Sequence, residues 1–254
     1  MVGCKGCRDG DQGFAIDMAF QPIVDAVTEN VFAYEALVRG TAGESAGSVL
    51  ERVTPENLYA FDQKCRVAAI EGAVNAGILK GEAKLSINFL PNAVYSPLAC
   101  IQLTLRTASA TGFPAERLIF EFTENEKMVD TDHVRTIVEC YNQMGFGTAV
   151  DDFGAGHAGL NLLSALTTDY LKLDMELIRE IDIKKRNRVI VEGIVGIASR
   201  LGVTLMAEGV ETVEEYRTLR EMGVRLFQGY LFAAPAFKAL PNFLLPDRIV
   251  TRAA

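Results

Sequence analysis

The sequence predicts an α/β fold, a modified (β/α)8 TIM-like barrel with one antiparallel strand near its N-terminus. Three observations carry that prediction. Short apolar stretches of strand character recur eight times along the 254 residues, with amphipathic stretches between them. Three of the helical stretches end in an apolar residue, a glycine and a second apolar residue that opens the next strand: Met144-Gly145-Phe146, Leu201-Gly202-Val203 and Met222-Gly223-Val224. Glycine suits the left-handed position that turns a helix back toward a sheet. The link between the first two strands, residues 26–30, is too short for a crossover helix, so those two strands must pair antiparallel.

In chain order the strand segments are 19–24, 31–38, 84–90, 118–123, 147–153, 169–174, 204–210 and 225–232. Two helices stand out by period: Val134, Ile137, Val138 and Tyr141 at i, i+3, i+4 and i+7, and Ile190, Ile194, Ile197, Ala198 and Leu201. Thr212 with Glu215 has the spacing of a capping box that opens the helix before Gly223. No break in composition interrupts residues 14–245, which we read as one domain between short tails at 1–13 and 246–254.

Composition removes several function classes. The formal net charge of -8 argues against a nucleic-acid polymer as partner, since that mode needs a basic surface. No apolar run approaches the roughly 20 residues a bilayer helix needs, and residues 1–11 lack the apolar core of a secretory signal. A cytoplasmic protein with no membrane insertion is expected. Five cysteines do not make a disulfide framework: Cys65, Cys100 and Cys140 read as core thiols. Cys4 and Cys7 form a single CxxC that fits a reduced tail better than half a Zn²⁺ site. The basic run Lys184, Lys185, Arg186 and Arg188 reads as a solvated face or a dimer-edge element.

In such barrels reactive groups stand at the C-terminal ends of strands. Here the polar residues interrupting the apolar runs are Glu35, Asn88, Glu121, the pair Asp151-Asp152, Lys172, Glu208 and Gln228. Isolated buried charges are costly unless paired or coordinated, and five carboxylates cannot be neutralised by one lysine. A divalent cation is the economical remedy. The ligand atoms are all oxygens of carboxylates or amides, so Mg²⁺ or Mn²⁺ is favoured over Zn²⁺. A pocket with room for two metals points to in-line displacement at phosphorus, although barrels with Asp, Glu, Lys and Mg²⁺ also perform enolisation.

Six ordered segments narrow the choice. They are Phe20-Gln21-Pro22-Ile23-Val24-Asp25, Glu35-Ala36-Leu37-Val38-Arg39, Asp151-Asp152-Phe153-Gly154-Ala155-Gly156, Leu171-Lys172-Leu173-Asp174, Ala207-Glu208-Gly209-Val210-Glu211-Thr212 and Gln228-Gly229-Tyr230-Leu231-Phe232. In order and spacing they resemble the EAL domain of bacterial cyclic-di-GMP phosphodiesterases, over about residues 14–238. The resemblance implies a modified barrel with an antiparallel strand and metal-dependent hydrolysis of cyclic di-GMP to linear pGpG. The alternative it leaves is a catalytically weak domain acting as a cyclic-di-GMP receptor or protein-interaction module.

Position by position, the resemblance makes Glu35, Asn88, Glu121 and Asp151 metal ligands and gives Asp152 and Glu208 to a second ion, Mg²⁺ or Mn²⁺ in each case. Lys172 would contact the attacking water or the phosphate, beside Glu35, Asp152 and Glu208 as the catalytic group. Gln21, Leu37, Arg39 and Gln228 would meet the substrate, and Glu124 would hold the loop after Asp151-Asp152. That loop departs from the commonest family pattern: His157-Ala158-Gly159 stands where many members have Tyr-Ser-Ser. The resemblance also implies a homodimer packed near residues 159–166, whose Leu160, Leu162, Leu163, Ala165 and Leu166 exceed one apolar stripe, and a regulatory protein partner. Ca²⁺ should inhibit, because its bonds of roughly 2.3–2.6 Å exceed the roughly 2.0–2.1 Å of Mg²⁺.

Overall fold

The computed structural model describes residues 14–123, 131–156 and 159–246. Among the described residues nine strands form one sheet: β1 (Ile16–Asp25), β2 (Asn30–Gly40), β3 (Lys84–Asn88), β4 (Leu118–Thr123), β5 (Gly147–Phe153), β6 (Tyr170–Leu173), β7 (Thr204–Ala207), β8 (Leu226–Phe227) and β9 (Ala236–Phe237). Strands β2 to β8 run parallel, and β1 closes the ring by pairing antiparallel with both β2 and β8. The expected barrel is present, with the expected inverted strand. Strand β9, which the sequence pattern did not announce, pairs with Ala19 and Phe20 of β1 beyond the point where β8 leaves it.

The helices α1 (Leu58–Asn75), α2 (Gln102–Thr111), α3 (Thr131–Gln143), α4 (Gly159–Ala165), α5 (Lys185–Leu201) and α6 (Val213–Glu221) occupy the connections between the parallel strands. Helix α5 ends as its sequence predicts: Gly202 takes φ 73° and its N–H bonds to Ala198 O and Ser199 O. The capping box of α6 is also formed, with Glu215 N donating to Thr212 Oγ1 at 3.1 Å and Thr212 N to Glu215 Oε2 at 3.1 Å. In α4, Leu162, Leu163 and Leu166 pack into the protein's own core and Leu160 alone of these leucines is exposed. The second apolar face expected there therefore reduces to Leu160. Cys100 is buried, Cys65 and Cys140 are partly so, and all three are free thiols. Among the described residues no helix is long and apolar enough to cross a membrane.

Two apolar regions hold the barrel. The larger lies between the strands and the helices. The smaller is a plug inside the ring, built from Ile23, Ala33, Ile119, Ala149, Met206 and Leu226 with Tyr170 against it. Residues two apart on a strand share a face, so the next layer toward the C-terminal rim is fixed by this plug. That layer is Gln21, Glu35, Glu121, Asp151, Lys172, Glu208 and Gln228, and Ser86 of β3 likewise precedes Asn88 by two.

Candidate metal centre

Lys172 is the hub of the polar layer and is fully buried. Its Nζ lies 2.5 Å from Glu208 Oε1, 2.8 Å from Glu121 Oε2, 3.1 Å from Asp151 Oδ1 and 3.5 Å from Glu35 Oε2. Gln228 Nε2 donates to Glu35 Oε2 at 2.7 Å and to Gln21 Oε1 at 3.1 Å, and Asn88 Nδ2 donates to Glu35 Oε1 at 2.9 Å. Ser86 Oγ donates to the other oxygen of Glu121. Eight sequence-selected side chains, one from each of β1 to β8 or the residue just after it, thus meet in one place.

Asp151 and Asp152 pose a geometric problem, because consecutive strand residues face opposite ways. The chain solves it with a register irregularity between Val150 and Phe153 in the β5–β6 pairing and a left-handed Asp152 at φ 53°. Both carboxylates then share the site, with Asp152 N bonding to Asp151 Oδ1 at 2.9 Å. A non-glycine residue at positive φ is costly and persists only where its surroundings hold it.

Gln228 is placed by the loops after β7 and β8. Its N–H bonds to Ala207 O at 2.8 Å and its carbonyl accepts Val210 N–H at 3.1 Å. The next residue must be glycine, since a Cβ at Gly229 would sit 2.0 Å from Val210 O. These loops, with Asp174, Met175, Gly209 and Tyr230, line a cavity of about 350 Å³ over the carboxylates. Asp174, which ends the Leu171-Lys172-Leu173-Asp174 segment, caps the short helix Met175–Ile178 by accepting Glu176 N–H at 2.7 Å and lines the same cavity. Its position directly after Leu171-Lys172-Leu173 was the available signal.

Ligand oxygens gather in two overlapping sets, Glu35 with Glu121 and Asp151, and Asp151 with Asp152 and Glu208, each within 4.8 Å of one another. Burial, opposed by Lys172 and reinforced by Glu35 and Asp151, pushes the Glu121 carboxyl up to about 8. Burial and Asp151 raise Glu208 well above the ordinary carboxylate range. Asp152 rises to about 6 through burial, Asp151 and Asp174. Burial pulls on Lys172 in the opposite direction, but the surrounding carboxylates outweigh it and keep the ammonium charged. The set is short of positive charge, and its oxygen donors fit a hard divalent cation. Gln228 Oε1, buried without a hydrogen-bond partner among the described residues, is a further oxygen beside it.

Two selected residues lie apart. Leu37 lines a second cavity of about 270 Å³, largely apolar, which reaches Asn88. Arg39 turns back on its own strand, with Nη1 donating to Val38 O at 2.7 Å. Glu124, His157, Ala158, Cys4 and Cys7 lie outside the described residues. His133 is described, at the start of α3, and is not among the residues lining either cavity.

The protein-family profile described as the EAL domain matches residues 12–235. The chain belongs to the EAL domain family. Among solved structures, this EAL chain is similar to a standalone EAL protein from Vibrio cholerae O395 in its c-di-GMP-bound form, at 48% identity and TM-score 0.88, covering 92% of this chain and 98% of that one. It also resembles BlrP1 of Klebsiella pneumoniae in a manganese and cy-diGMP complex, at 33% identity and TM-score 0.84, covering 92% of this chain and 59% of that one. Among curated proteins it is 31% identical over 231 residues to the Escherichia coli K12 protein named probable cyclic di-GMP phosphodiesterase PdeN, covering 86% of this chain and 43% of that protein. The chain spans 57% of the length of one curated relative and 43% or less of others.

Proposed function

We propose that this EAL domain hydrolyses cyclic di-GMP to linear pGpG with two Mg²⁺ or Mn²⁺ ions per site. The observation that carries the reading is the pair of overlapping carboxylate sets around one buried lysine, under an open cavity at the C-terminal face of the barrel. Glu35, Asn88, Glu121 and Asp151 would hold one ion, and Asp152 and Glu208 the other, with Asp151 common to both. When bound, such ions supply Lewis acidity at phosphorus and acidify water. Lys172, held charged by its carboxylates, orients the attacking water or a phosphate oxygen, and its fourfold pairing fixes where that ammonium stands. Gln228 and Gln21 hold Glu35 in register and present amide groups to the nucleotide. Leu37 offers an apolar wall beside Asn88, and Arg39 reaches a phosphate by releasing its bond to Val38 O. Glu124 would restrain the loop that follows Asp152.

The solved relatives with bound cyclic di-GMP, one also with manganese, support the substrate and the metal class. The reading places the protein in cytoplasmic second-messenger signalling, as a homodimer under a regulatory partner. The test is nucleotide binding and product formation followed in the same samples with Mg²⁺, Mn²⁺, Ca²⁺ or excess chelator. Expected are turnover in Mg²⁺ and Mn²⁺ and inhibition by Ca²⁺. Binding that persists in chelator with no pGpG in either metal would instead establish the receptor alternative.

A further inference from the structure

One buried cluster lies outside the carboxylate site, at the edge of the apolar cavity that Leu37 and Asn88 also line. Asp62 and Arg66, one turn apart on α1, are both inaccessible to solvent, and Arg66 Nη2 lies 2.8 Å from Asp62 Oδ2. Arg66 Nη1 donates to the Tyr141 hydroxyl of α3 at 3.0 Å. The guanidinium sits 5.4 Å from the Phe89 ring centre and 5.5 Å from that of Phe120. Asp62 turns its other oxygen outward from the pair and accepts the Leu90 N–H at 3.0 Å.

These contacts converge on three consecutive residues just where β3 ends. Asn88 donates from its side chain to Glu35. Phe89 N–H bonds to Glu121 O at 2.9 Å, and its ring stands in cation–π range of Arg66. Leu90 N–H is taken by Asp62. Strand pairing of β3 with β4 ends at Asn88–Glu121 and the Phe89 N–H, so the Leu90 N–H is the first that the β3–β4 ladder does not take. Stability alone does not call for these charges, because replacing a buried ion pair by apolar residues of similar size is commonly neutral or stabilising. What apolar residues cannot supply is an acceptor for the Leu90 N–H.

We infer that the buried Asp62–Arg66–Tyr141 network is a positioning device for Asn88, fixing from two helices the rim backbone from which Asn88 reaches Glu35. The inference rests on the reading of Asn88 as a metal ligand. Residues that orient ligands without touching the ion typically change metal affinity by about 10- to 100-fold.

Two double variants separate positioning from packing: Asp62→Leu with Arg66→Met, which removes the acceptor, and Asp62→Asn with Arg66→Met, which keeps a carbonyl oxygen for Leu90. Mn²⁺ affinity is read by electron paramagnetic resonance of the free ion, without substrate, and folding by far-ultraviolet circular dichroism. With folding unchanged, the Leu/Met chain should bind Mn²⁺ about tenfold more weakly than the parent, and the Asn/Met chain should stay close to the parent. Equal affinities in the two variants, whether parental or reduced, overturn the inference. If the Leu/Met chain does not fold, Asp62→Ala with Arg66→Met removes the same acceptor with less bulk. It should still weaken Mn²⁺ binding about tenfold, and parental affinity would overturn the inference. A parent that binds no Mn²⁺ at all would instead overturn the metal reading, and the inference with it.

Discussion

At the scale of single residues, the decisive arrangement is one ammonium among four carboxylates. Lys172→Met leaves Glu35, Glu121, Asp151 and Glu208 facing one another in a buried layer, with no cation between them. Breaking a buried pair from one side costs about 3–5 kcal/mol. The variant should therefore unfold at lower temperature, regain part of the loss when Mn²⁺ is added, and lose turnover by about 100-fold or more. Differential scanning calorimetry with and without metal, beside a product assay, checks both. Glu35→Gln should abolish turnover while leaving the fold intact, since an amide keeps the shape and one of the two acceptors that Asn88 and Gln228 use. Most of this layer is legible in the sequence, because each polar residue interrupts an apolar strand near its end. The sharing of one site by Asp151 and Asp152 is not, because strand alternation alone would part them, and only the irregular β5 backbone brings them together.

At the scale of elements, the loop after β8 depends on a contact that no side chain tolerates. Gly229→Ala would drive a Cβ into the Val210 backbone, so we expect about 1–3 kcal/mol of destabilisation, a displaced Gln228 and a raised KM. Chemical denaturation and steady-state kinetics on the same variant read the two effects. Helix α6 shows the opposite case, a local signal that is fully sufficient. Thr212→Ala should cost about 1 kcal/mol in the same denaturation assay and leave the site unchanged. Helix α1 escaped the periodicity reading because its inward face carries Asp62, Gln63 and Arg66 among Phe61, Ala69, Ile70 and Ala73, so polarity and burial do not separate. Strand β9 holds two residues, too few for alternation to show, and β8 lies within the expected segment 225–232 but is only two residues long.

At the scale of the whole molecule, the ring is closed at its lower end by β1, β8 and an ion pair. Arg225 Nε lies 2.9 Å from Asp25 Oδ1 and 3.0 Å from Oδ2, and the Val27 and Thr28 N–H groups bond to the same carboxylate. Burial opposes ionisation of Asp25, but Arg225 and these N–H groups outweigh it and lower its pKa from 3.8 to about 2. A group depressed on folding stabilises above its unfolded pKa and loses that contribution as pH falls through the folded one. The gap in melting temperature between the parent and Asp25→Asn should therefore be full above about pH 5 and close between about pH 4 and pH 2. A gap independent of pH would exclude this role for the pair. The carboxylate layer stands at the other rim, so Asp25→Asn should leave turnover unchanged.

The central claim is that the polar layer is a two-ion centre built on the barrel's inner face. Anomalous diffraction from crystals grown with Mn²⁺ tests it most directly. Two manganese peaks per chain are expected, one among Glu35, Asn88, Glu121 and Asp151, and the other among Asp151, Asp152 and Glu208. Well-ordered crystals at saturating Mn²⁺ with no peak in the layer, or with manganese bound only elsewhere, would contradict it.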